Sequence, residues 1–294
     1  AQPQLARETE PPRAAAYTVT NPGSDFMVDV LKTLDFEYVA AVPGSSFRGL
    51  QESLLTYGGN TKPQWVTCLH EDSSVAMAHG YAKMSGKPML VLLHGVVGLA
   101  HAPMAIYDAF CDQVPIVMIA GNTADEGARR PNADWQHSAH DQAIMVRDIT
   151  KWDDQPYSMQ GWSESMVRAY DIATTVPKAP VLIVTNGELA EDELPPDERK
   201  KLTIPQLKER TPPIGDVNAL REAAKWLVAA ENPVIIADRC VRSQEGMNNL
   251  VKLAELLQAP VVDKYSRLNF PNKHPLCHTM GGGAALRQAD VVLC

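Results

Sequence analysis

The most constraining feature of this chain is a series of short, almost unbroken apolar runs separated by helical periodicity. Tyr38–Val42, Trp65–Leu69, Met89–Leu93, Pro115–Ala120 and Pro180–Thr185 each span only five or six residues. Between them lie segments with apolar positions about one turn apart: Asp25–Leu34, Leu50–Leu55, Ser73–Met84, Ala102–Phe110 and Ser163–Thr174. An apolar run without polar alternation has no side to offer water, so it predicts a strand covered on both faces. Strands of that kind alternating with helices predict an α/β fold, a parallel sheet flanked by helices. Ser24 is placed to cap the first helix.

The alternation stops at residue 187 and resumes beyond 213. The stretch 187–213 is rich in Glu, Asp, Lys and Pro and is expected to be a linker. After it, helix Val217–Ala230, strand Pro233–Ala237, helix Glu245–Leu257, strand Pro260–Val262 and a last strand from Asp290 predict a second, incomplete α/β unit of Rossmann-like type. Residues 1–23, rich in Pro, Ala, Glu and Arg, are expected to form a flexible arm. The domains predicted are thus 24–186 and 214–294. The 294 residues agree with two domains. The chain starts at Ala1 and stops inside an apolar run at Cys294, which leads us to expect a fragment or one piece of a nicked chain.

Charge and cysteine usage narrow the classes of function. Lys and Arg number 27 against 35 Asp and Glu, and 27 − 35 = −8 disfavours a protein that tracks nucleic-acid phosphates. Apolar runs such as Met89–Leu93 are far shorter than the roughly 20 residues of a membrane span. Cys68, Cys111, Cys240, Cys277 and Cys294 contain no C-x-x-C pair and are expected to be small buried hydrophobes in a reducing, cytoplasmic setting. A periplasmic location after signal cleavage is the alternative.

No phosphate-binding G-x-x-x-x-G-K loop occurs, and no G-x-G-x-x-G follows a strand. Gly281-Gly282-Gly283 is expected to be a turn, and Asn248-Asn249 and Asp153-Asp154 solvated surface. Ligands of open α/β sheets sit at the carboxyl ends of strands. Three such ends carry polar groups: Pro43-Gly44-Ser45-Ser46, His70-Glu71-Asp72 and His94-Gly95.

The segment from His70-Glu71 through an Ala-rich helix to Gly80-Tyr81-Ala82-Lys83 resembles the pyrimidine-binding domain of thiamine diphosphate-dependent enzymes. Tyr107–Gly121, Thr150-Lys151-Trp152 and Ala179–Ile183 are similar to the same family, in its order. His94 lies 94 − 71 = 23 residues after Glu71 in a Leu93-His94 pair, as in benzoylformate decarboxylase-like members, and Ser45 matches their Pro-Gly-Ser. Val96-Val97-Gly98 departs from the Ser-Gly-Pro-Gly of acetolactate synthases.

The resemblance implies a decarboxylase or carboligase acting on small 2-oxo acids through cofactor ylid and enamine intermediates. An acetolactate synthase-type large subunit is the alternative, and a non-catalytic binding module with this fold is the alternative of another class. It implies thiamine diphosphate and Mg²⁺ as cofactors. Glu71 is cast as the carboxyl that faces the pyrimidine, His94 as general acid/base, and Ser45 as a substrate-binding hydroxyl. Pro43, Gly44, Gly98 and His101 join Glu71 in the cofactor-binding surface. His137 and His140, on the polar loop Asn122–His140, are further candidates.

The family's diphosphate and metal motif, Gly-Asp-Gly followed by Asn-Asn, does not occur, so no metal ligands are assigned in this chain. The resemblance therefore implies a homo-oligomer or a partner chain carrying the diphosphate-binding domain. The second unit resembles the family's central domain through Asn232–Ile236, Gln258–Val262 and His274-Pro275-Leu276. Asp238-Arg239-Cys240 stands in place of its glycine-rich turn and speaks against FAD.

Overall fold

A computed structural model describes residues 19–131, 133–208, 214–241, 243–264 and 268–294 and divides the chain into two compact units, 1–208 and 209–294. Most of the expected arm (1–18) and the end of the expected linker (209–213) lie outside the described residues.

In the first unit the elements run α1 (Gly23–Thr33), β1 (Tyr38–Ala41), α2 (Arg48–Leu55), β2 (Gln64–Thr67), α3 (Glu71–Ser85), β3 (Met89–Leu93), α4 (Gly95–His101), α5 (Pro103–Cys111), β4 (Ile116–Asn122), α6 (Asp134–His137), β5 (Trp152–Asp154), α7 (Met159–Thr174), β6 (Val181–Asn186), α8 (Gly187–Glu191) and α9 (Pro196–Arg199). The six strands form one parallel sheet in the order β2-β1-β3-β4-β6-β5. Its central strands β3, β4 and β6 are buried throughout, as their uninterrupted apolar runs require.

Alternate residues of the strands feed two cores, one on each face of the sheet. Val39, Leu90, Leu92, Val117, Ile119 and Ile183 pack with α1, α2 and α7. Ala40, Val91, Leu93, Met118 and Val184 pack with α3, α4 and α5. The Trp162 side chain on α7 is fully buried and donates its indole N–H to Thr185 Oγ1 at 2.8 Å, which satisfies the one polar atom it takes into the core. Lys151 Nζ donates to the carbonyls of Ile172, Thr175 and Pro177 at 2.6–2.7 Å, tying the end of α7 to the start of β5.

Several local expectations need correction. Ser24 lies inside α1, where its buried hydroxyl meets Ser53 Oγ at 2.7 Å; Pro22 occupies the cap position. The pair Asp153-Asp154 belongs to edge strand β5, with Asp153 accepting from Arg147 and Asp154 from Ser165. The helix expected over Ala102–Phe110 is preceded by a separate one, α4, in a glycine-containing stretch that offers little helical signal. Residues 187–208 clasp the first unit instead of hanging free. Ala190 and Leu194 are buried, Gly23 N–H donates to Asp192 O, and Leu194 N–H donates to Asn21 O. Of the cysteines, Cys68 is buried, whereas Cys111, Cys240 and Cys294 are exposed.

The second unit contains α10 (Val217–Ala229), β7 (Pro233–Ala237), α11 (Gln244–Leu257), β8 (Val261–Asp263), α12 (Gly283–Gln288) and β9 (Val291–Leu293), with a parallel sheet ordered β8-β7-β9. Asp216 caps α10 by accepting from the Asn218 and Ala219 N–H groups. Among the described residues, no helix is long and apolar enough to cross a membrane.

Candidate active site

The strand order sets the location of the site. After β1 the chain moves to one side, to β2, and then returns to the other side of β1 for β3 and β4. The loops leaving β1 and β3 therefore separate and leave a crevice at the carboxyl edge, the place where open α/β sheets bind ligands. Pro43–Ser46 leaves β1 and His94 leaves β3 at this point.

Glu71 is the first residue of α3, after the loop from β2, and is 5% exposed. A carboxylate there gains from the positive end of the helix. One face of the carboxyl lies against α4: a Cβ on Gly98 would come within 2.8 Å of Glu71 Oε1 and 3.1 Å of its Cγ. Glycine at 98 is thus what lets the helix approach the acid. On the other oxygen, Oε2, His101 Nδ1 stands at 3.1 Å. The His101 ring stacks on that of His70 with centroids 4.6 Å apart.

His94 is half-buried at the tip of β3. Its Nδ1 is 3.0 Å from Ser46 Oγ, and its ring meets Phe47 edge-on and lies 4.5 Å from that of His137. Gly44 presses against it so closely that a Cβ would be 2.6 Å from the ring. Burial pushes the His94 pKa down, the neighbouring His137 adds to this, and the charge of Glu71 acts in the opposite sense. His137 Nδ1 donates to Ala133 O at 2.6 Å, which leaves its Nε2 as the basic nitrogen.

The structure thus gathers Gly44 with His94 and Gly98 and His101 with Glu71, and the charge of Glu71 acts on His94. Pro43, Ser45 and His140 are exposed. The hydroxyl in contact with His94 belongs to Ser46, one residue after the expected Ser45, and nothing in the Pro-Gly-Ser-Ser string distinguishes the two. His137 reaches the site because α6 packs against α4, the His137 carbonyl oxygen 2.5 Å from where a Cβ on Gly95 would stand, with an Arg130–Asp134 pair holding the start of α6. That approach depends on tertiary folding and carries no local sequence signal.

At the switch of a parallel sheet the structure thus places a buried carboxyl, a glycine packed against it and, nearby, a half-buried histidine. Residues 21–145 match the thiamine pyrophosphate enzyme N-terminal TPP binding domain and residues 220–294 match the central domain of the same enzymes. The chain belongs to the thiamine diphosphate-dependent enzyme family.

Among its relatives is the sulfoacetaldehyde acetyltransferase of Rhodobacter capsulatus, 27% identical over 91% of this chain and 44% of that protein. Another is the acetolactate synthase large subunit of Haemophilus influenzae, 23% identical over 92% of this chain and 48% of that protein. The solved thiamine diphosphate-dependent 4-hydroxybenzoylformate decarboxylase of Rhodococcus jostii shares the fold, with a TM-score of 0.73 at 23% identity over 87% of this chain and 47% of that one. The chain spans about half the length of the curated relatives it matches.

Proposed function

We propose that this chain contributes the pyrimidine face of a thiamine diphosphate-dependent decarboxylase or carboligase acting on small 2-oxo acids. The observation that carries the reading is the buried Glu71 carboxyl beneath Gly98. A buried carboxyl walled by a position that tolerates no side chain suits a flat heterocycle with a ring nitrogen to protonate. Thiamine diphosphate, when bound, supplies the electron sink that loss of CO₂ from a 2-oxo acid demands and that no side chain provides.

Glu71 would hold the pyrimidine and share a proton with it, in a setting where burial limits competition from water. His94, kept neutral by burial, takes up or returns a proton on the substrate-derived oxygen or carbon. Ser46 orients the His94 ring, and the exposed Ser45 beside it remains available to a substrate carboxylate. The diphosphate and Mg²⁺ call for the family's Gly-Asp-Gly motif, which this sequence lacks, so they belong to another part of the assembly.

That partner, a second copy or the chain carrying the diphosphate half, has a surface to occupy. Leu69 (97% exposed), Met77 and Met84 on and before α3, and Met104 and Tyr107 on α5, are exposed apolar side chains close to Glu71 in sequence or on the helix packed beside α3. Replacing Glu71 by Gln in the complete assembly is expected to lower turnover by at least about 10²-fold while the melting temperature holds. Undiminished turnover rules out the role given to Glu71. The acetolactate synthase-type reading draws on the named relatives, and formation of acetolactate from pyruvate as the main product would favour it.

A further inference from the structure

His70, Glu71 and His101 each present one potential ligand atom, and these three atoms lie within 4.8 Å of one another. Two helix ends hold them: His70 and Glu71 begin α3, and His101 ends α4. His70 Nδ1 is 2.8 Å from Asp72 Oδ1. A carboxylate can only accept, so Nδ1 carries the proton and Nε2 keeps a free lone pair. Carboxylates orient metal-binding imidazoles in this way.

We propose that His70, Glu71 and His101 form a site for a divalent transition-metal ion, Zn²⁺ being the best match. Two imidazoles and one carboxylate with a fourth position open is a common zinc donor set, whereas Mg²⁺ and Ca²⁺ prefer oxygen throughout. Ligand atoms around a tetrahedral zinc lie about 3.3 Å apart; His101 Nδ1 and Glu71 Oε2 already stand at 3.1 Å, and the widest gap in the cluster has at most about 1.5 Å to close. The His70 and His101 side chains are 48% and 54% exposed and have room to swing in, while Glu71, at 7%, is the fixed member; zinc takes the place of the proton that His101 Nδ1 donates to Glu71 Oε2, which leaves to solvent. The consequence for activity rests on the function proposed above. The Glu71 carboxyl cannot bind zinc and face a pyrimidine at once, so the metal and the cofactor exclude each other.

The test begins with the metal alone. Calorimetric titration of metal-stripped protein with ZnCl₂, paralleled by the visible spectrum of added Co²⁺, should report one ion per chain. His70→Ala and His101→Ala should each weaken zinc at least tenfold, and the double variant should lose it. Asp72→Ala, which removes the acceptor of His70 Nδ1–H, should weaken it by roughly 10-fold or more, an effect that a loss of folding would not mimic if circular dichroism is unchanged. Zinc retained by the double variant, or lost only on His137→Ala, overturns the site. In the complete assembly, saturating thiamine diphosphate should lower the apparent zinc affinity. Zinc that binds these residues and ignores the cofactor overturns the shared use of Glu71. The first arm involves no cofactor, so its failure leaves the proposed function standing, and the Glu71→Gln turnover test judges that separately.

Discussion

Half-buried between Phe47 and His137, His94 loses part of its hydration and faces a second imidazole, so its protonated form is disfavoured. With its pKa below the ordinary value of about 6.5, it stays neutral into mildly acidic solution. The acid limb of kcat/KM should therefore lie below that value. His137→Gln removes the second cause but leaves burial, and should move the limb upward toward the ordinary value; a limb that stays in place contradicts the coupling. The same depression means that the unfolded chain binds the proton more readily. The stability His94 contributes is accordingly complete above about pH 6.5 and falls as the pH drops through the window down to its folded pKa. At this scale the sequence was informative about chemistry and poor about partnership. Glu71 and His94 stood out through the resemblance of the motifs around them to the family, Glu71 opening α3 and His94 following β3. Ser46 and the approach of His137 depend on which way a turn and a loop bend in space, and neighbouring identical residues hide that.

The helix α4 shows how an element can serve a single side chain. Seven residues with glycine at 95 and 98 form a poor helix by propensity, yet they end up packed against Glu71. Gly98→Ala is expected to improve helix propensity and leave the melting temperature nearly unchanged, while pushing the Glu71 carboxyl off its seat. Turnover should fall by roughly 10–100-fold, since a displacement near 1 Å can carry that cost. Paired kinetics and thermal melts check it, and full activity would show that the close approach is incidental. The central strands β3, β4 and β6 were the most legible elements because double-sided burial leaves an unbroken apolar run; the run Trp65–Leu69, expected to be covered on both faces, instead supplies edge strand β2, which has no buried residue, and β5, with its two acids at the other edge, escaped. The segment 187–208 read as a linker because its buried residues, Ala190 and Leu194, are spaced too far apart to register as a run.

Among the described residues the first unit has a six-stranded sheet with a core on each face, and the second a sheet of three strands. The exposed apolar side chains on α3 and α5 mark where association is to be sought. Met84→Glu combined with Met104→Glu changes only exposed positions (74% and 65%) and should leave the fold intact while lowering the oligomeric state in sedimentation velocity. Unaltered association moves the interface elsewhere. The crevice where β1 and β3 part company has its own evolutionary consequence. It is made by the order of strands alone, so drift in the three loops around it can retune which molecules enter while the scaffold is conserved. That freedom accounts for how chains sharing barely a quarter of their residues can inherit the same architecture.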